Sequence, residues 1–202
     1  VKGLIVFEKA DQCHVASGIF SDLVDSQDKR ISEKSRYHLG YCLVEMNLPL
    51  EATHHLGIVI RSQNPDYTTL SLKRIVEDVP VYLETQVAEA ILSADENMIP
   101  KEARDKANYI KAKYFMKKDQ PRRALEFAEK VSKESDKYFK SQYVDSVAEY
   151  ASKNLDGSIA RQKTLFENLK KRNTDKEVLA LVQLNLGRMN FQKGKYTDSL
   201  KH

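Results

Sequence analysis

Five alanines, Ala16, Ala52, Ala88, Ala124 and Ala160, stand 36 residues apart. A fixed period of this length marks stacked copies of one supersecondary unit, since a unit this small cannot bury both of its faces alone. A second column lies twelve residues earlier, at Leu4, Gly40, Val76, Ala112 and Ala148. A third lies three residues further on, at Phe7, Leu43, Val79, Phe115 and Ala151. The spacing then slips: Gly187 stands twelve before Ser199 but 39 after Ala148, which predicts a three-residue insertion within Lys170–Asp175. The chain therefore reads as six units, the first and last incomplete.

Each unit reads as two helices. Lys106–Lys118 carries Ala107, Ile110, Tyr114 and Phe115 at helical spacing. Asp119-Gln120-Pro121 breaks the pattern, with Pro121 suited to the first turn of the next helix. That helix places Ala124, Leu125, Phe127, Ala128 and Val131 on one side. Pro49 holds the same position two repeats earlier, so the prolines fix the frame independently of the alanines. Polar segments separate the units at Asp25–Lys29, Ser62–Asp66 and Ser132–Asp136. The third unit is irregular: its first helix is expected to end near Asp78, with Pro80 opening an elongated second helix. Small residues in the two columns let the paired helices approach closely, while larger ones fill the gap to the next hairpin.

Composition agrees with an all-α array. The 202 residues hold only 7 Gly and 5 Pro, too few for an all-β chain rich in turns. The 41% hydrophobic content suffices for a core. Two cysteines exclude a disulfide framework and any CxxC motif. No apolar run approaches the ~18 residues of a membrane span, so membrane insertion is not expected. Val1–Phe7 lacks the cleavage site of an intact signal peptide. Both ends read as cut, which leads us to expect a fragment of a longer chain whose end hairpins stack onto the missing repeats or self-associate through the cut ends.

These residues resemble the tetratricopeptide repeat family. Leu39-Gly40-x-x-Leu43 with Ala52, Leu186-Gly187 with Gly194, Tyr196 and Ser199-Leu200, and Ala112-x-x-Phe115 with Ala124-Leu125 and Ala128 carry the likeness, which spans the whole chain. The family's Trp column is absent, and 36 exceeds its usual period of 34. The resemblance implies a right-handed superhelix of helical hairpins whose first helices line a concave groove for a peptide or a partner's helix. Carried over by position, the groove residues are Lys34, Tyr37 and Tyr41, then Lys73 and Glu77, then Tyr109, Lys113 and Lys117, then Asp145 and Glu149, then Arg188. Tyrosines would act as anchors and lysines as charge complements. The carboxylate clamp of the chaperone-binding members is not reproduced, since its first columns hold Val1 and Ile5.

Other chemistry is thinly represented. Cys13, His14, His38 and Cys42 could in principle bind zinc, but adjacent Cys-His side chains on a helix diverge by about 100°. Semi-buried thiols are the simpler reading, with a Cys13–Cys42 disulfide as another. In His54-His55, one ring is expected to face solvent and the other to pack, with no nucleophile evident. Gly187–Lys195 fails the phosphate-loop spacing, and the GxGxxG, HExxH and GxSxG patterns do not occur. Arg122-Arg123 and Lys170-Lys171-Arg172 are basic, but 33 Lys and Arg are interleaved with 29 Asp and Glu, which disfavours nucleic acid.

The expectation is an all-α solenoid without catalysis, cofactor, metal or small-molecule substrate, acting as a scaffold for another protein. A structural spacer or assembly subunit and an RNA-binding repeat are the alternatives. Compartment stays open, and a bacterial cytoplasmic or periplasmic scaffold would suit equally.

Overall fold

The computed structural model describes residues 12–199. The columns at Leu4 and Phe7 and the clamp positions Val1 and Ile5 lie outside the described residues, as does Leu200. The architecture is all-α, with no strand among the described residues. In chain order the helices are α1 (Cys13–Ser21), α2 (Lys29–Glu45), α3 (Pro49–Ser62), α4 (Thr68–Glu77), α5 (Glu84–Leu92), α6 (Arg104–Lys117), α7 (Pro121–Ala128), α8 (Tyr138–Ala151), α9 (Leu155–Arg172), α10 (Lys176–Gln192) and the short α11 (Tyr196–Ser199). The chain divides into two compact units, Val1–Ala107 and Asn108–His202.

Local chemistry starts the helices. Asp28 caps α2, its carboxylate accepting from the backbone N–H of Arg30 and Ile31 at 2.9 and 3.4 Å. Pro49 and Pro121 open α3 and α7 as the sequence predicts. Asn154 caps α9 by accepting from Gly157 N at 3.0 Å, and Asp175 caps α10 by accepting from Val178 N at 3.4 Å.

One turn is built four times. Asn47, Asp119, Lys153 and Gly194 each adopt a left-handed conformation, with φ of 59°, 54°, 65° and 71°. The next residue's N–H then reaches back five residues: Leu48 to Leu43 O, Gln120 to Phe115 O, Asn154 to Glu149 O and Lys195 to Asn190 O, at 2.8–3.0 Å. This is the Schellman closure of a helix, and it reverses the chain tightly into the following helix.

The turn sets the close approach within each hairpin. Seven residues before it and five after it stand the small pairs Gly40/Ala52, Ala112/Ala124, Ser146/Ser158 and Gly187/Ser199. The fifth hairpin thereby departs from the 36-residue reading. Ala160 is exposed, and Ser158, two residues earlier, takes the buried place. Successive turns fall 34 residues apart from Asp119 to Lys153 and 41 apart from Lys153 to Gly194. The surplus lengthens α9 to 18 residues, so Lys170-Lys171-Arg172 forms its last turn rather than an inserted loop. Three cations there face the negative end of the helix dipole.

The third hairpin is irregular in the expected place. Helix α4 ends at Glu77 with Asp78 as its cap. Pro80 leads into a 3₁₀ turn, Val81–Leu83, that runs into a nine-residue α5 instead of one elongated helix. The Gln63 side chain then pins the following loop, donating to Ser93 O at 2.7 Å and accepting from Asp95 N at 3.3 Å.

Hairpins join their neighbours by a second recurring bond. A hydroxyl near the start of one hairpin donates to a carbonyl on or just after the preceding helix: Ser32 to Val24 O, Thr68 to Val59 O at 3.3 Å, and Ser141 to Ala128 O at 2.8 Å. In the first unit Cys13, Ala16, Phe20, Leu39, Cys42 and Ala52 pack in one core cluster, and no disulfide joins the two thiols. In the second, Leu165, Leu169, Val178, Val182 and Leu186 form another. No helix among the described residues is long and apolar enough to cross a membrane.

Candidate partner-binding surface

The first unit gathers Tyr37 and Tyr41 against the following hairpin. The Arg74 guanidinium of α4 lies 3.8 Å from the centroid of the Tyr41 ring on α2. It also bridges Glu45 at 2.5 Å and Asp78 at 2.7 Å. Burial disfavours its charge, but the bonds to Glu45 and Asp78 outweigh that, and the guanidinium pKa is raised. The Tyr37 ring stands 5.4 Å from Tyr67 and 5.1 Å from His38, which in turn stacks on Phe20 at 5.1 Å. Burial pushes the Tyr37 hydroxyl up, and burial, then Lys34, pushes His38 down to about 4. These tyrosines hold a helix–helix seam, which an i, i+4 aromatic pair on a first helix does not by itself announce.

Lys34 borders a cleft of about 290 Å³ with Asp28, Arg30, Asn64, Asp66 and Tyr67. Lys73 is exposed and pairs with Glu102 at 3.6 Å. Glu77 is exposed, and its carbonyl, not its carboxylate, accepts from Lys106 Nζ at 2.9 Å. His54 is exposed and His55 half-buried, with their rings edge to face at 5.3 Å.

In the second unit Lys113 lies 5.5 Å from the Tyr109 ring centroid, and Lys117 is exposed one turn further on. Asp145 and Glu149 stand on α8. Both are engaged by Arg161 of α9, Asp145 Oδ2 at 2.5 Å and Glu149 Oε1 at 3.1 Å. Arg188 is exposed with Leu184 and Phe191 around a shallow cleft of about 410 Å³.

The small-residue pairs explain this scatter. Counted from them, Tyr37, Tyr109 and Tyr143 share one place, three residues before Gly40, Ala112 and Ser146. Tyr41, Lys113 and Arg188 share another, one residue after Gly40, Ala112 and Gly187. Asp145 and Glu149 enter only through the 36-residue spacing, which is two residues out in the fifth hairpin. Tyr143 is the residue that spacing misses; its hydroxyl accepts from Asn185 Nδ2 of α10 at 2.9 Å. Tyr150 repeats the contact two turns later, donating to Gln192 Oε1 at 3.2 Å.

No protein-family model, curated protein or solved structure matches the chain.

Proposed function

We propose that this chain is a tetratricopeptide-like scaffold: a right-handed superhelix of helical hairpins that binds a peptide or a helix of another protein along its first helices and performs no chemistry of its own. The recurrence of one hairpin carries this reading, with the same left-handed turn and the same small-residue pair four times over. Repetition of a rigid unit produces an extended ordered surface at little entropic cost on binding, which suits recognition of elongated partners. Within Asn108–His202 the side chains offered to a partner are Tyr109, Lys113, Lys117 and Arg188, an aromatic flanked by cations that fits an acidic segment. In the first unit Lys34 and Lys73 play the corresponding part.

The test compares the full chain with a Lys113→Glu/Lys117→Glu variant, immobilised at ~150 mM salt, where weak exposed charge contacts are screened. A protein retained only by the parent chain supports the scaffold reading. Equal retention by both removes these residues from the binding surface. The seam made by Tyr37 and Tyr41 favours the spacer reading as the second choice, because residues used to join hairpins are not available to a ligand. In that case truncation abolishes assembly while no segment-like ligand is found.

A further inference from the structure

Three carboxylates share one guanidinium in the second unit. Arg161 on α9 reaches Asp145 and Glu149 on α8 and Glu129 just after α7, the last at 3.5 Å. The cluster holds two more negative charges than positive ones. Its members differ in what else supports them. Glu129 is more than half exposed and is solvated. Glu149 receives Arg161 Nε at 3.2 Å and also Asn154 Nδ2 at 2.8 Å. Asp145 is fully buried; its Oδ2 accepts from Arg161 Nη1, and its Oδ1 has no hydrogen-bond partner among the described residues. An ionised carboxylate with one oxygen unbonded and two like charges sharing the guanidinium that it binds is costly, and a proton on it removes most of that cost.

We propose that Asp145, Glu149, Glu129 and Arg161 form a proton-operated clasp, in which Asp145 takes up a proton from solvent on mild acidification and the contact between the end of α7, α8 and α9 tightens. Burial raises the Asp145 pKa to about 6, with Arg161 opposing and Glu129 and Glu149 reinforcing the rise. Because the folded value lies above the ordinary 3.8, the fold binds this proton more tightly than the unfolded chain does. The resulting stabilisation is complete below pH 3.8 and is lost as pH rises through about 6. An ordinary aspartate–arginine bridge has the opposite slope, so the sign decides the matter. Other carboxylates also titrate in this window, and a difference against a variant lacking only this group isolates its part.

The experiment is urea unfolding of the full chain and of Asp145→Asn at pH 7.5 and pH 5.0. At pH 7.5 the variant is expected to match or exceed the parent in midpoint. At pH 5.0 the parent is expected to gain on the variant. A variant weaker at pH 7.5 whose deficit shrinks at pH 5.0 overturns the proposal, as does a difference that does not change with pH. Should the variant fail to fold, the side-chain carboxyl ¹³C signal of Asp145 in the parent serves instead. It is expected to titrate between pH 5 and 7, and titration confined below pH 5 overturns the clasp.

Discussion

Ser158 Oγ donates to the carbonyl of Ser146 at 2.7 Å, and Ser199 Oγ donates to the carbonyl of Gly187, also twelve residues back, at 2.9 Å. In both hairpins a serine hydroxyl fastens the second helix to the backbone of the first where the two helices approach most closely. In the hairpins with Ala52 and Ala124 a methyl group fills the same place. Ser158 Oγ also lies 3.3 Å from Met189 Sδ, a weak acceptor, so Ser158→Ala should lose chiefly the net worth of the buried bond to Ser146 O, about 1 kcal/mol. Chemical denaturation of the two proteins under identical conditions measures it; a loss above about 3 kcal/mol would show that the hydroxyl supports more than this bond.

Gly40 and Gly187 hold equivalent positions but different neighbours. A Cβ on Gly40 would stand 2.7 Å from Leu56 Cγ, a fully buried side chain. Among the described residues a Cβ on Gly187 meets only Ser199 O, at 3.5 Å. Gly40→Ala should destabilise by about 1–3 kcal/mol through overpacking. Gly187→Ala should gain up to about 1 kcal/mol from helix propensity. Thermal melts of the pair should move in opposite directions.

Lys153 occupies a left-handed turn that Gly194 fills in the last hairpin and that Asn47 and Asp119 tolerate. A lysine Cβ is strained there, so Lys153→Gly should stabilise the chain by about 0.5–1 kcal/mol. Gly194→Ala should cost a similar amount. Unfolding midpoints of both variants check the pair, and a destabilised Lys153→Gly would contradict the shared turn.

His38 is held neutral between Phe20, Tyr37 and Tyr67, with its pKa lowered from 6.5 to about 4. The unfolded chain therefore takes up this proton first. The stability His38 contributes is present above pH 6.5 and is lost as pH falls toward 4. His38→Phe keeps an aromatic ring against Phe20 and removes the titration. Its advantage over the parent should grow as pH is lowered from 7 to 4.5, as urea midpoints at the two values would show.

Much of the fold was legible because helical hairpins are written locally. Pro49 and Pro121 mark helix starts by their fixed φ, and Gly40, Ala52, Ala112 and Ala124 mark the close crossing by their size. Each signal depends only on residues near it in the chain. The fifth hairpin shows where that reading runs out. Ala148 and Ala160 satisfy the 36-residue spacing, yet Ser146 and Ser158 make the crossing, because a buried serine is acceptable once a carbonyl receives its hydroxyl. Composition along the chain cannot reveal that carbonyl.

The candidate surface was legible in kind but not in membership. Lys117 and Arg188 stand exposed on first helices and Lys113 is half-buried there, whereas Tyr37 and Tyr41 are spent on the seam with Tyr67 and Arg74. The sequence alone determined the helical hairpins, their approximate period and the turns between them, since backbone propensity and small-residue spacing act over a few residues. The tertiary structure decided the true frame of the fifth hairpin, the partners of each tyrosine and the enclosure of Asp145, since burial and pairing depend on side chains brought together from different helices.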